Sequence, residues 1–240
     1  MAAKLTINFK KTGFGWSFFL QKNVDKMEIK YTIYVIKIFV EVKIMSNLYV
    51  YQFCSRNKDN KDVLNFKKRV KTFLEYEENE DKIVEAFKKF AAEGVLGEQT
   101  RLYRSVNSRD EEKIREELII RLLRDKPSIT QLHRILVSVA QQAQNRDENK
   151  WLFDFDVDDK ELAAKFIYDI YINYNNRATN GGHWELNDIK YYKTPHGYAI
   201  IVPHEFDTRK LMEKWRDYDI TLKKDELLFL DMMTNGGADD

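Results

Sequence analysis

Cysteine and histidine are scarce in this chain of 240 residues, which contains one cysteine and four histidines. The single Cys54 excludes an internal disulfide framework, and no cysteine- or histidine-based zinc motif is present. The sequence also lacks a Walker loop, a Gly-x-Gly-x-x-Gly fingerprint, a Gly-x-Ser-x-Gly elbow and a His-Glu-x-x-His stretch. None of the common signatures of P-loop ATPases, dinucleotide-binding enzymes, serine hydrolases or zinc proteases therefore applies.

Long hydrophobic runs are missing as well. The longest charge-free apolar run near the N-terminus, residues 31–36, is far too short to cross a bilayer, and no secretory signal pattern is present. Hydrophobic residues make up 43% of the chain and charged residues 33%, which is typical of a soluble globular protein. We expect a cytoplasmic protein without a membrane partner.

The net charge of +1 hides an asymmetry along the chain. Residues 1–44 contain eight lysines and three acidic residues, so the remainder carries a net charge of −4. A slightly acidic body argues against a broad basic surface for nucleic acids, although a local basic groove is compatible with it.

Composition and polar connectors divide the sequence into three parts. Residues 1–44 are rich in lysine and β-branched residues, and they are either an extension that precedes a natural start at Met45 or a genuine N-terminal hairpin. Residues 45–149 are predicted to form a mainly helical α/β subdomain. Residues 150–240 are predicted to form a second subdomain with a frayed tail.

Hydrophobic spacing predicts the elements of the middle part. A strand is expected near 48–53, helices over 61–76 and 79–93, and a strand over 100–106. Capping boxes beginning at Ser108 and Ser128 predict two further helices.

The last part has a more informative order of elements. A strand at 150–157 is followed by a helix at 159–174, strands at 184–193 and 197–202, a helix at 207–217 and strand-like segments near 220–222 and 227–230. The predicted class is α+β, with a mixed helical N-terminal part followed by a β-α-β-β-α-β core. RNA-recognition (RRM) domains and many polymerase palms share this ferredoxin-like order, which by itself identifies no function.

The stretch Trp151-Leu-Phe-Asp-Phe-Asp-Val-Asp-Asp159 alternates apolar and acidic residues. On a strand, Phe153 and Phe155 would face a core while Asp154 and Asp156 face the other way. Neighbouring carboxylates repel one another, so this pattern suits a bound divalent cation. The alternative is an edge strand with a solvated acidic face, in which the last two aspartates serve a helix N-terminus.

Two features together resemble the archaeo-eukaryotic primase superfamily, which includes the primase-polymerases. The first is the Asp154-x-Asp156 strand, and the second is the segment Lys193-Thr-Pro-His-Gly-Tyr-Ala-Ile-Ile201, which is similar to the family's second motif. The chain has Ala199 where that family has histidine, and His196 lies on the turn instead. The likeness covers residues 150–231, and the chain as a whole also resembles bacteriophage replication proteins.

The resemblance implies metal-dependent nucleotidyl transfer with Mg²⁺ or Mn²⁺, and nucleotides or nucleic acids as partners. The implied metal ligands are Asp154, Asp156 and Asp231, with Asp219 as a weaker match for the third, and His196 completes the catalytic set. The implied nucleotide-binding residues are Arg104, Lys193, Thr194, Gly197 and Tyr198. Arg104 has a second interpretation as a surface ion pair, and its phosphate role would draw on the helix start at Ser108.

Two other function classes stay open at this point. A non-catalytic RRM-like interaction module would keep Asp154 and Asp156 for structural hydrogen bonds. A metal-dependent nuclease would also need clustered acids, but no accompanying acid and lysine signature supports it.

Overall fold

The computed structural model describes residues 8–12, 15–19, 47–176 and 183–236. The chain divides into two units, residues 1–46 and 47–240. In the first unit, β1 (Asn8–Thr12) and β2 (Gly15–Phe19) form an antiparallel hairpin. The lysine-rich, β-branched stretch between residues 27 and 44 lies outside the described residues.

The second unit contains two four-stranded antiparallel sheets. In the first sheet, β3 (Leu48–Ser55) and β5 (Gln99–Ser105) are the inner strands, and β4 (Arg69–Tyr76) and β10 (Leu227–Thr234) flank them. The strand order is β10-β5-β3-β4, so a strand from the C-terminal end of the chain completes a sheet that begins near its N-terminal end.

Helices cover both faces of this first sheet. Helix α1 (Glu80–Ala92) packs its phenylalanines against alternate residues of β3, including Phe53 and Tyr51. On the opposite face, α2 (Glu111–Asp125) and α3 (Leu132–Ala140) bury residues against Val50. Successive side chains of β3 therefore pack into two apolar layers, one on each face of the sheet. This explains why the strand is almost entirely buried.

The predicted helix over 61–76 is wrong, because its second half is β4. The spacing of Val63, Phe66, Val70 and Phe73 mimics a helical stripe, but Phe73 instead stacks on Tyr51 across the β3–β4 ladder. A β-branched and aromatic segment with an open neighbouring strand edge gains more from cross-strand pairing than from helix formation.

The predicted start of α2 also needs correction. The residue that caps the helix is Asp110, whose carboxylate accepts hydrogen bonds from the backbone N–H groups of Glu112 and Lys113. Ser108 is buried, and its hydroxyl donates to Glu148 at 3.3 Å. The capping box at Ser128 is confirmed.

The second sheet has the order β7-β8-β6-β9. Its elements follow one another as β6 (Trp151–Phe155), α4 (Lys160–Asn175), β7 (Lys190–Lys193), β8 (Tyr198–Val202), α5 (Arg209–Lys214) and β9 (Ile220–Lys223). The predicted α+β class is confirmed. The predicted strand over 184–193 is shorter than expected, because residues 186–188 form a turn of 3₁₀ helix.

An aromatic core lies between the second sheet and its helices α4 and α5. Phe153 and Phe155 point into it from β6 and contact Phe166 of α4, as the alternation predicts. Asp159 caps α4 by accepting hydrogen bonds from the amides of Glu161 and Leu162, which is also as predicted. Because the side chains on one face of β6 pack into this core, Asp154 lies on the other face.

The face of the second sheet that the helices leave open meets the first sheet. A small apolar cluster joins them, and it consists of Val106, Leu152, Ala199, Ile201 and Leu228. Beside it, the buried Arg109 donates two hydrogen bonds to Asp225 at 3.0 and 3.1 Å, and Asn107 donates to the same carboxylate. None of the helices in the described ranges combines the length and the apolar character needed to cross a bilayer.

Candidate functional site

A cleft of about 350 Å³ opens between the two sheets beside the apolar cluster. The second sheet supplies Asp154, Asp156 and the turn at Thr194–His196, and the first sheet supplies Arg56, Lys58 and Arg101. Two larger grooves of about 520 and 560 Å³ lie elsewhere on the unit, but neither contains the acidic pair. The acidic pair therefore singles out the smaller cleft.

Asp154 stands in the middle of β6 with Ala199 of β8 on one side and Thr221 of β9 on the other. Its side chain is half-buried, and its Oδ2 accepts a hydrogen bond from Nζ of Lys223 at 2.7 Å. Burial disfavours the charged form of Lys223, but the hydrogen bond and the charge of Asp154 outweigh it and raise the pKa of Lys223. One carboxylate oxygen of Asp154 is thus already hydrogen-bonded to the ammonium group of Lys223.

Asp156 lies just beyond the end of β6, where its backbone N–H donates to the carbonyl of Asp219 at 3.0 Å. Burial raises the pKa of Asp156, and the negative charges of Asp154 and Asp219 raise it further. His196 and Lys223 oppose that rise. Asp156 therefore lies within electrostatic range of two other aspartates, with an imidazole and an ammonium nearby.

The turn that carries His196 is closed by two hydrogen bonds between Thr194 and Gly197. The Thr194 amide donates to the Gly197 carbonyl at 2.9 Å, and the Gly197 amide donates to the Thr194 hydroxyl at 3.1 Å. A Cβ on Gly197 would lie 1.9 Å from the carbonyl oxygen of Phe155, so only glycine lets the turn approach the end of β6 this closely. Thr194 and Gly197 consequently hold His196 at the cleft.

Lys193 and Tyr198 flank this turn but do not line the cleft. The Lys193 ammonium pairs with Asp158 and lies 4.7 Å from the centre of the Tyr198 ring. The Tyr198 side chain is buried in the aromatic core of the second sheet. These two residues of the predicted nucleotide site support the sheet from its helical side.

Asp231 lies on the opposite face of the first sheet from the cleft. It pairs with Leu102, which packs against Phe53 beneath α1, whereas Phe229 pairs with Tyr103 and lines the cleft. Directly paired residues share a face of the sheet. The register shifts between Phe229 and Asp231, so a bulge at Leu230 turns Asp231 away. The structure brings Asp219, and not Asp231, to the acidic pair.

Arg104 also lies on the face of the first sheet that is turned away from the acidic pair. Its guanidinium binds Glu77 at 2.6 Å and sits 4.4 Å from the centre of the Tyr49 ring. It lines the groove of about 520 Å³ with Tyr192 and Trp184. The structure thus bears out the ion-pair interpretation of Arg104, and it places Arg104 and Ser108 away from the acidic cleft.

The sequence reasoning missed the basic residues of the cleft. Arg56 follows β3, Arg101 is on β5, and Lys223 ends β9. Arg56 makes two hydrogen bonds to Asp59 at 2.8 and 2.9 Å, and Arg101 reaches the same carboxylate at 2.7 Å. The signal that could have found Arg101 is the alternation of β5, in which Gln99, Arg101 and Tyr103 share one polar face.

The donor set at the acidic pair fits a hard divalent cation such as Mg²⁺ or Mn²⁺, because it consists of carboxylate oxygens. Among residues 47–176 and 183–236, no group of three or more Cys, His, Asp or Glu side chains is arranged to hold a metal ion. Mg²⁺ in nucleotide sites is commonly held by one or two carboxylates together with phosphate oxygens and water. Asp154 and Asp156 therefore suit a cation that arrives with a phosphate-bearing ligand.

No protein-family model, curated protein or solved structure matches this chain.

Proposed function

We propose that the second unit binds a nucleoside triphosphate together with Mg²⁺ or Mn²⁺ in the cleft between its sheets, as a primase-polymerase-like protein. The observation that carries the proposal is the meeting of Asp154 and Asp156 with Arg56 and Arg101 across one cavity. Carboxylates attract the cation, guanidinium groups attract the phosphates, and a metal–nucleotide complex carries both charges at once.

The topology supports the RRM-like part of this proposal. The β-α-β-β-α-β succession from β6 to β9 and the sheet order β7-β8-β6-β9 agree with the split βαβ arrangement. In this arrangement one face of the sheet is covered by helices and the other carries the acidic pair. A nucleotide would therefore bind in the cleft on the face of the sheet that carries the acidic pair.

The proposed reaction is nucleotidyl transfer, in which the 3′-hydroxyl of a nucleic acid attacks the α-phosphate of the triphosphate. The bond between the α- and β-phosphates breaks, pyrophosphate leaves, and the hydroxyl proton passes to water. Asp154 and Asp156 would hold the divalent cation, which supplies charge neutralisation at the phosphates and lowers the pKa of the attacking hydroxyl. Arg56 and Arg101 orient the phosphates from the opposite wall. The closed Thr194–Gly197 turn holds His196 beside Asp156, where an imidazole can donate a hydrogen bond to a phosphate oxygen.

Calorimetric titration of Mn²⁺ with ATP tests the binding part of the proposal. We expect the double variant Asp154→Ala/Asp156→Ala to lose about tenfold or more in affinity for the pair of ligands. Glu85→Gln is the matched control, because this exposed acid lies on α1, away from the cleft. Equal, weak binding by the wild-type protein and the double variant would refute the proposal.

A second candidate function is a non-catalytic binding module of the same fold. Two observations favour it: Lys223 engages Asp154, and Ala199 rather than histidine stands directly opposite Asp154 in the β6–β8 ladder. Primer extension with a labelled nucleotide separates the two candidates. Incorporation that depends on Mn²⁺ and disappears in Asp154→Ala/Asp156→Ala supports the enzyme, while tight nucleotide binding without incorporation supports the module.

A further inference from the structure

The wall of the cleft that faces the acidic pair is basic. Arg56, Lys58 and Arg101 line it, and Asp59 pairs with both arginines. Two guanidinium groups bind one carboxylate, so one of their positive charges is not neutralised by it, and the exposed Lys58 adds another. Glu226, at the rim of the cleft, is exposed to solvent.

Arg101 is the unusual member of this wall. Its side chain is only 8% exposed, and its Nε has no hydrogen-bond partner among the residues that the structure describes. Buried donors without a partner are rare because each one carries its full desolvation cost. Its guanidinium also lies 5.7 Å from the centre of the Phe229 ring, within the range of a cation–π contact. An arginine that Asp59 holds in place at the wall of the cleft is suited to a fixed anion.

Resting on the proposed function, we infer that Arg56, Lys58 and Arg101 form a polyphosphate-binding subsite that works without metal. Asp59 orients the two guanidinium groups in advance, so little side-chain entropy is lost when phosphate oxygens bind. The basic residues of the first sheet thereby bind the phosphate chain, while the acidic pair of the second sheet binds the cation. This assigns the phosphate contacts to residues other than Arg104 and Lys193.

Sodium tripolyphosphate in the presence of EDTA is the direct probe, with binding followed by calorimetry and by the rise in melting temperature. We expect Arg56→Gln and Lys58→Ala each to weaken tripolyphosphate binding by about tenfold, as for the loss of one charge-assisted hydrogen bond. Because the Lys58 side chain is exposed, Lys58→Ala should fold normally, and it tests the subsite even where Arg56→Gln does not fold. Lys88→Ala, on the exposed side of α1, is the matched control and should bind as the wild type does.

Asp156→Asn gives the sharpest separation between this subsite and the metal site. Without metal, the Asp156 charge repels an anion in the same cleft, so the variant should bind tripolyphosphate more tightly than the wild type. The same variant should bind Mn²⁺ more weakly. Tripolyphosphate affinity that is unaffected by Arg56→Gln and Lys58→Ala overturns the subsite even where Mn²⁺ binding at the acids is normal. Tripolyphosphate binding that needs both basic residues upholds the subsite even where the acids bind no Mn²⁺.

Phosphates reach such a cleft either as a nucleotide's triphosphate or as the backbone of a nucleic acid. A third titration therefore uses a 5′-hydroxyl oligonucleotide, which has backbone phosphates but no polyphosphate chain. Tighter binding of tripolyphosphate and ATP than of the oligonucleotide supports the inference. Oligonucleotide binding that requires Arg56 and Lys58, together with no detectable tripolyphosphate binding, overturns it in favour of a backbone contact.

Discussion

The ammonium of Lys223 lies 2.7 Å from Oδ2 of Asp154, at the place where the proposed cation would bind. Both side chains are about one-third exposed, so this pair is partly shielded from water. A divalent cation at Asp154 has to compete with Lys223 for the same oxygen. We therefore expect Lys223 to weaken the binding of the proposed cation.

Replacing Lys223 with methionine should raise the affinity for Mn²⁺ by about threefold to tenfold, because it removes both a competing partner and a nearby positive charge. Calorimetric titration measures this directly. Lys214→Met is the matched control, since Lys214 pairs with Asp169 on the helical side of the sheet. Weaker or unchanged Mn²⁺ binding in Lys223→Met would show that the ammonium does not compete.

Asp156 should make the fold less stable at neutral pH. Its pKa is raised in the folded chain by burial and by Asp154 and Asp219. Below the ordinary pKa of aspartate, the folded and unfolded chains both carry the proton and no penalty exists. Above the raised pKa, the ionised side chain costs stability.

Asp156→Asn should therefore raise the melting temperature at pH 7, and the gain should vanish near about pH 3, where aspartate is protonated in both states. Melting curves across this pH range measure the difference between variant and wild type. Glu85→Gln should show no such pH-dependent gain. A variant that is less stable than the wild type at pH 7 would mean that Asp156 makes a favourable contact in the fold.

Asp225 lies between β9 of the second sheet and β10 of the first, and it pairs with Arg109, which is almost completely buried. Asp225→Ala leaves that guanidinium without its partner and should cost about 3–5 kcal/mol of unfolding free energy, measured by urea denaturation. The double variant Arg109→Met/Asp225→Ala should recover part of this loss. Arg115→Ala, which removes an exposed ion pair, should leave the urea midpoint unchanged. If the losses of unfolding free energy in Arg109→Met and Asp225→Ala simply add up in the double variant, the two side chains are not coupled.

Gly197 and Gly97 differ in the reason for which glycine is needed. A side chain on Gly197 would collide with the backbone of Phe155, whereas Gly97 has open space but a φ of +80°. Gly197→Ala should cost at least about 1–3 kcal/mol and should also disturb Mn²⁺–ATP binding, because the His196 turn must move. Gly97→Ala should cost about 1 kcal/mol through backbone strain and leave binding intact. Normal Mn²⁺–ATP binding in Gly197→Ala would show that the position of the turn is unimportant.

The acidic strand could be predicted from the sequence because its information is local. Phe153 and Asp154 differ in polarity, and a strand turns successive side chains to opposite faces. The same reasoning places Asp159 at the helix cap. Short-range alternation and capping are thus enough to locate one wall of the cleft.

The other wall could not be predicted in this way. Arg101 reaches the cleft only because β5 pairs with β3 and β10, and these pairings join segments that are far apart in the sequence. Asp231 is expected at the metal site only from the resemblance, and the bulge between Phe229 and Asp231 turns it to the opposite face of the sheet. The alternation of β5 shows that Arg101 lies on a polar face, but no pattern among neighbouring residues shows which other segment that face meets or where the bulge lies.

The pairing of β10 with β5 has a consequence for synthesis on the ribosome. The first sheet obtains its fourth strand only after residues 227–234 have emerged, by which time the second sheet is already available. A nascent chain that stops earlier lacks Phe229 beneath Arg101 and presents an unfinished strand edge. A chain that stops after β9 therefore contains the strand with the acidic pair but lacks the contribution of β10 to the opposite wall, so the cleft is complete only once β10 has been made.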